Sequence, residues 1–174
     1  MHAVTPRDRA AVRDALRSTS PDLLAYLERR VSVREDAADL LGEVLLQAWR
    51  RHTSLPAEPT RQRMWLFTIA AHVLANHRRS IRRRTSLAER LRAEVATTPP
   101  ASDPAERHAV RDAVLRLHDA QRELVMLIHW DGFTIVEAAE LLGLNASTAR
   151  SRYAAARETL KRALEEPLRQ AAEA

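Results

Sequence analysis

At 174 residues the chain is long enough to bury a sizeable core, as one domain or as two small ones. Hydrophobic residues make up 45% of it, which excludes a disordered polyelectrolyte, while 3 Gly and 4% aromatics favour helices. Cysteine is absent, excluding disulfides and thiolate metal sites, and the net charge of +5 favours a polyanionic partner.

The opening "MHAVTPRDRAAVRDALRSTS" has no apolar run, and no stretch approaches membrane-spanning length, so no membrane insertion is expected. The missing cysteines fit a reducing cytoplasm, the compartment expected here. Ser20 followed by Pro21 reads as a cap and a first-turn proline, predicting a helix start for "DLLAYLERRV". A second helix is predicted over "REDAADLLGEVLLQAWRR". Its buried stripe is Leu41, Val44, Leu45 and Ala48, and its polar stripe is Asp36, Asp39, Glu43 and Gln47. On the residues alone, these acids read as a solvated helix face.

"HTSLPAEPT", with Pro56 and Pro59, predicts a loop. A long helix is predicted from about Arg61, burying Leu66, Ile69, Ala70 and Val73. On its opposite face Thr68, His72, Asn76, Arg79 and Arg83 recur at i, i+4, i+8, i+11 and i+15, a polar strip ending in cations. Residues 61–92 hold nine Arg and one Glu, a local +8, so the rest of the chain sums to −3. The basicity is a patch, as a phosphate backbone requires of its partner. Trp65 and Phe67 are either stacking groups for bases or ordinary core.

Three prolines and no apolar periodicity in "ATTPPASDPAER", residues 96–107, predict a linker between domains 1–95 and 108–174. Helices resume at His108. Ile135, Ala138, Ala139 and Leu142 then form one buried face, Gly143 can take positive φ, and Asn145 can cap a restarted helix. That second helix buries Ala149, Tyr153, Ala156 and Leu160. It leaves Thr148, Ser151 and Arg152 on one exposed flank and Arg150 and Arg157 on another. A DNA-binding helix-turn-helix and a plain helical hairpin with a charged face both have this form. A polar tail follows. No Gly-rich phosphate loop, Ser/His/Asp signature or metal-ligand spacing occurs, and His72 and His77, five apart, do not share a helical face. No catalytic role, cofactor or metal is therefore expected.

"DAADLLGEVLLQAW", "WLFTIAAHVLANHRR" and "QRELVMLIHWDGFTIVEAAELLGLNASTARSRYAAAR", in this order around a Pro-rich joint, resemble the extracytoplasmic-function (ECF) class of bacterial sigma factors. The resemblance covers about residues 20–90 and 108–165. It implies an all-α, two-domain, non-enzymatic subunit that directs promoter-specific initiation by core RNA polymerase, under the control of an anti-sigma factor. The first domain, sigma region two, would bind the β′ clamp through Asp36, Asp39, Glu43 and Gln47 and the minus-10 element through Thr68, His72, Asn76, Arg79 and Arg83. Gly42 stands where the family usually has glutamine, and His72 where it commonly has asparagine. The second, sigma region four, would bind the β flap and place Thr148, Arg150, Ser151, Arg152 and Arg157 at the minus-35 element. The competing reading is a helix-turn-helix regulator that binds duplex DNA without polymerase.

Overall fold

The computed structural model describes residues 6–91 and 105–172, with side-chain surroundings for 9–83 and 110–165. Among these residues there are seven α-helices and no strand. By its internal contacts the chain divides into two compact units, Met1–Val95 and Ala96–Ala174.

The first unit contains α1 (Pro6–Glu28), α2 (Arg34–Arg50), a short 3-10 turn (His52–Ser54) and α3 (Pro59–Leu91). Each of the three helices packs on the other two. Val12, Leu23, Leu27, Val44, Leu66, Phe67 and Val73 are buried between them. Removing such side chains from water is worth about 1.5–3 kcal/mol each, which is what holds so small a bundle together.

Two features of this unit depart from the sequence expectation. The first helix does not start at Ser20 and Pro21; it begins at Pro6 and carries Pro21 in its interior. A proline there has no N–H for the carbonyl one turn back. The neighbouring hydroxyls also turn inward on the helix, Ser18 Oγ donating to the Ala15 carbonyl at 3.0 Å and Ser20 Oγ to that of Leu16 at 2.6 Å. Ser20 therefore bonds backward along the helix instead of capping a new one.

The second departure is the stripe that α2 buries. Ala37, Leu40, Val44 and Ala48 are buried, while Leu41 and Leu45 are half-buried on the flank. The helix is turned so that the face opposite the core carries Asp39, Gly42 and Leu46, all exposed.

The start of α3 is fixed by a residue that sequence patterns rarely flag. Glu58 precedes Pro59 and accepts hydrogen bonds from the Thr60 and Arg61 amides, both at 2.8 Å. It satisfies two of the free N–H groups that open any helix, and its negative charge suits the positive end of the helix dipole. The hydrogen bond donated by the Thr60 amide, and then that by the Arg61 amide, hold the Glu58 carboxyl below its ordinary value of 4.5.

The second unit contains α4 (Ala105–Arg116), α5 (Asp119–His129), α6 (Ile135–Leu141) and α7 (Ala146–Ala172). Ala105–Arg107, expected as the end of the linker, form the first turn of α4, and the rest of that segment, 96–104, lies outside the described residues. The expected polar tail is instead the continuation of α7. That helix packs on α4, α5 and α6. Its Ala156 is buried with Val114, Leu117 and Val125, and Tyr153 and Leu160 close over them. Arg122 joins α4 to α5 by donating to the carbonyls of Leu115 at 2.7 Å, Leu117 at 2.9 Å and Val114 at 3.3 Å. Its charge is thereby spent on the otherwise unsatisfied carboxyl end of α4.

The Glu58 cap gives a pH signature. A carboxyl whose folded pKa lies below its unfolded one adds stability above the unfolded value and loses it as pH falls through the folded value. Glu58→Gln should therefore lower the thermal midpoint of α3 unfolding above pH 4.5, with the gap to wild type closing as pH falls further below that value. Circular dichroism melts across that range check this.

Candidate nucleic-acid interface

On α3, Leu66, Ile69, Ala70 and Val73 are buried as the periodicity required, which turns the opposite strip outward. His72, Asn76, Arg79 and Arg83 are exposed on it. Thr68 is half-buried, and its hydroxyl donates to the Met64 carbonyl at 2.9 Å, so it offers less than its position suggests. An Arg79 guanidinium N–H donates to the Asn76 side-chain oxygen. This pins the Asn76 amide and leaves its NH2 as a donor.

The aromatic residues near this strip serve the core. Phe67 is 1% exposed and meets the Tyr26 ring edge-on at 5.3 Å, and Trp65 is half-buried. Several arginines are likewise structural. Arg30, 9% exposed, donates to the Tyr26 carbonyl at 3.1 Å and lies 3.8 Å over the Tyr26 ring. Arg63 pairs with Asp22 at 3.3 Å and lies over Phe67, and Arg78 reaches the Arg30 carbonyl at 3.4 Å. The cations presented to solvent are thus fewer than the sequence count, and they gather toward the end of α3.

The four polar residues of α2 do not act as one group. Asp39 and Glu43 are exposed on the outer side of the helix. Asp36 faces α3 and lies 3.6 Å from His77 Nε2, and Gln47 donates to Glu43 at 2.9 Å. Beside Asp39 and Glu43 the structure leaves two apolar groups that sequence reasoning missed, Leu46 at 48% and Trp49 at 42% exposure. Leu46 follows Asp39 by seven residues and Glu43 by three, the spacing of a shared helix face, and Gly42 has open space above its Cα. An apolar strip edged by acids has the makeup of a protein contact more than of a solvated face.

In the second unit the turn is built as the residues dictate. Thr134 and Glu137 form a capping box at the start of α6, a T-x-x-E signal that was available in the sequence. Gly143 takes φ +64°, its amide donates to the Glu140 carbonyl at 3.1 Å, and the Leu144 amide donates to that of Ala139 at 2.9 Å. This pair of bonds closes α6 in a Schellman motif. Asn145 then caps α7, its side-chain oxygen accepting from the Thr148 amide and the Ser147 hydroxyl, each at 2.8 Å. The helix that follows buries Ala149 and Ala156. Arg150, Ser151, Arg152 and Arg157 are exposed, and Thr148 is half-buried at the first turn. None of the three guanidiniums is bonded to another described residue. Tyr153 is held beneath them by a 2.8 Å bond between its hydroxyl and His129 Nε2, with the two rings stacked at 5.9 Å. Two helices locked at a tight glycine turn, the second offering free guanidiniums, form a helix-turn-helix.

Among the described residues no group of three or more His, Asp or Glu is placed to hold a metal ion, and no helix is long and apolar enough to cross a membrane.

One unit of three helices with a basic strip and another with a helix-turn-helix together define a two-part sigma-70 type transcription factor, and the comparisons agree. Residues 15–85 match sigma-70 region 2, and residues 107–160 match sigma-70 region 4. The chain belongs to the ECF RNA polymerase sigma factors, which are non-catalytic initiation factors. It is 32% identical over 155 residues to BldN of Streptomyces coelicolor, covering 86% of this chain but 59% of that relative's length. It is 28% identical to SigL of Mycobacterium tuberculosis over 83% of both chains. The solved structure of RpoE from Bartonella quintana, in complex with the anti-sigma factor NepR, superposes with a TM-score of 0.70 at 27% identity, covering 88% of this chain and 96% of that one.

The turn yields a direct check. Gly143→Ala forces a Cβ into left-handed backbone and should cost the second unit about 1–2 kcal/mol, whereas Gly143→Asn should cost less because Asn tolerates that conformation. Asn145→Ala should cost about 0.5–2 kcal/mol by removing the cap. Native-state hydrogen exchange of the α6 and α7 amides reads all three.

Proposed function

We propose that the chain acts in the bacterial cytoplasm as a promoter-specificity subunit of RNA polymerase. The first unit binds the β′ clamp through the outer face of α2 and the minus-10 element through α3. The second binds the β flap and reads the minus-35 element through α7, with the segment before α4, 96–104, joining the two. The observation that carries this reading is that the first unit presents two chemically different surfaces. One is acidic and apolar, built from Asp39, Glu43, Leu46 and Trp49; the other is polar and basic, built from His72, Asn76, Arg79 and Arg83. A regulator that binds duplex DNA without polymerase needs neither. The likeness to RpoE of Bartonella quintana, solved with NepR, supports an anti-sigma factor as a further partner that holds the chain inactive.

In this reading Asp39 and Glu43 steer the α2 face to a basic clamp surface, while Leu46 and Trp49 supply the buried contact. Asp36, engaged with His77, contributes mainly to the fold. On α7, Thr148 and Ser151 reach phosphates near the helix start, and Arg150, Arg152 and Arg157 reach bases or phosphates.

Transcription from a promoter library by core polymerase plus the chain tests the whole proposal, and initiation at a restricted promoter set is the expected outcome. Asp39→Arg/Glu43→Arg should slow association with core, and Trp49→Ala should speed dissociation with a loss of about 2 kcal/mol. Core capture by all variants as by wild type would remove α2 from the interface. Arg150→Ala/Arg152→Ala should weaken promoter binding by about 1–3 kcal/mol per lost base contact and relax preference at the minus-35 position, whereas lost phosphate contacts would weaken all sequences alike.

A further inference from the structure

The inward side of α7 is smooth along the turns that present Arg150, Arg152 and Arg157. Over 149–157 the inward positions are Ala149, Tyr153 and Ala156, and every other residue there is exposed. Alanines let a helix approach its neighbours closely, but they offer no ridge that fixes its rotation about its own axis. Tyr153 is the one large group in this stretch. Its ring packs on the cluster of Val114, Leu117, Val125 and Ala156, and its hydroxyl is hydrogen-bonded to His129 Nε2 at 2.8 Å, with the two rings stacked at 5.9 Å. The imidazole is held in turn. Trp130 meets it edge-on at 6.3 Å, and the end of α5 that carries it is closed by the Trp130 and Asp131 amides, which donate to the Met126 carbonyl at 3.0 and 3.1 Å. Arg150 precedes Tyr153 by three residues and Arg157 follows it by four, so the three share one side of the helix.

We propose that His129 is a positioning residue for duplex reading, which acts through the Tyr153 hydroxyl to fix the rotation of α7 and with it the aim of Arg150 and Arg157. Rotation is the sensitive coordinate. A guanidinium stands at least about 5–6 Å from the helix axis, so turning α7 by about 10° carries it about 1 Å. A hydrogen bond to a base edge has a distance window only about 0.5 Å wide, whereas attraction to a phosphate falls slowly with distance. Losing the bond between Tyr153 and His129 therefore impairs discrimination between sequences and leaves general affinity for DNA nearly intact. A bond with a purely structural role would act otherwise. Its loss at the surface would lower the stability of the unit slightly and scale binding to all duplexes alike. The inference rests on that part of the proposed function in which α7 reads duplex DNA, and not on polymerase binding.

The test is binding of the full chain, alone and with core polymerase, to the duplex it selects from a random-sequence pool and to a scrambled duplex of the same length. The ratio of the two affinities is the readout. Tyr153→Phe keeps the ring in the core and should lower that ratio roughly tenfold, the scale of one lost base contact, with affinity for the scrambled duplex and its salt slope unchanged. His129→Leu should do the same, and the double variant should be no worse than either single one, since each removes the same interaction. His129→Gln places an amide where it can meet the hydroxyl and should retain the wild-type ratio. An unchanged ratio in Tyr153→Phe overturns the proposal, as does an equal fall in affinity for both duplexes or a His129→Gln chain that behaves like His129→Leu. A wild-type chain that selects no sequence overturns it together with the assignment of α7 as the duplex reader. The promoter-library assay keeps the polymerase reading apart. Transcription with an unchanged ratio in Tyr153→Phe sinks the His129 role alone, and a lowered ratio without transcription by the wild type sinks the polymerase role alone.

Discussion

The burial register of α2 decides what the first unit can present. Once Ala37, Leu40, Val44 and Ala48 go inward, the 100° step of a helix leaves no choice for the others. Asp39, Gly42 and Leu46 go to the outer face, and Asp36 and Gln47 turn toward α3. A stripe centred on Leu41 and Leu45 would instead move Leu46 and Trp49 toward the flank of the core and dissolve the outer apolar strip. Small side chains at 37 and 48 bury with little volume, so the larger leucines on the flank are only half-buried and Leu46 is exposed. An exposed leucine and tryptophan on one face cost solubility, and a partner that covers them returns that free energy.

Much of this was legible in the residues, for reasons that differ by element. The α3 strip and the turn at Gly143 could be read because each depends on local rules. One is a sustained 3.6-residue period, and the other is a glycine in left-handed backbone followed by an asparagine cap. The start of α1 could not be read, because Ser20 and Pro21 satisfy the rule for a helix start and are also tolerated inside a long helix whose other contacts outweigh one missing bond. The Glu58 cap was hidden because glutamate is an uncommon cap and the residue sits between two proline signals that read as loop. The α2 register was missed because leucine is the stronger hydrophobic signal, whereas burial here was decided by which side chains fit between three helices.

The charge count needed the structure most. Sequence alone places nine arginines within 61–92 on equal footing. Folding divides the chain's guanidiniums into those spent on carbonyls, rings and carboxylates, such as Arg30, Arg63, Arg78 and Arg122, and those left to solvent, such as Arg50, Arg51, Arg150, Arg152 and Arg157. The first set would lower stability if removed and leave the electrostatic footprint largely intact. The second set carries most of that footprint, because a guanidinium already paired inside the protein has fewer of its five donors to offer a phosphate.

The number of free cations also bears on why two units share one chain. The described part of α7 offers three unbonded arginines near its exposed start, Arg150, Arg152 and Arg157. Even if all three met duplex phosphates, the salt slope would be about −2.7, well short of what a tight, independent DNA binder shows. The strip on α3 of the first unit carries a similar handful of exposed cations. Neither surface alone has the means for tight binding at physiological salt. Holding both on one polymerase makes the second engagement intramolecular, which multiplies affinity by on the order of 10²–10⁴ without a new contact. Weak separate surfaces are then an advantage, because free chain would bind DNA loosely and only the assembled enzyme would dwell at a promoter.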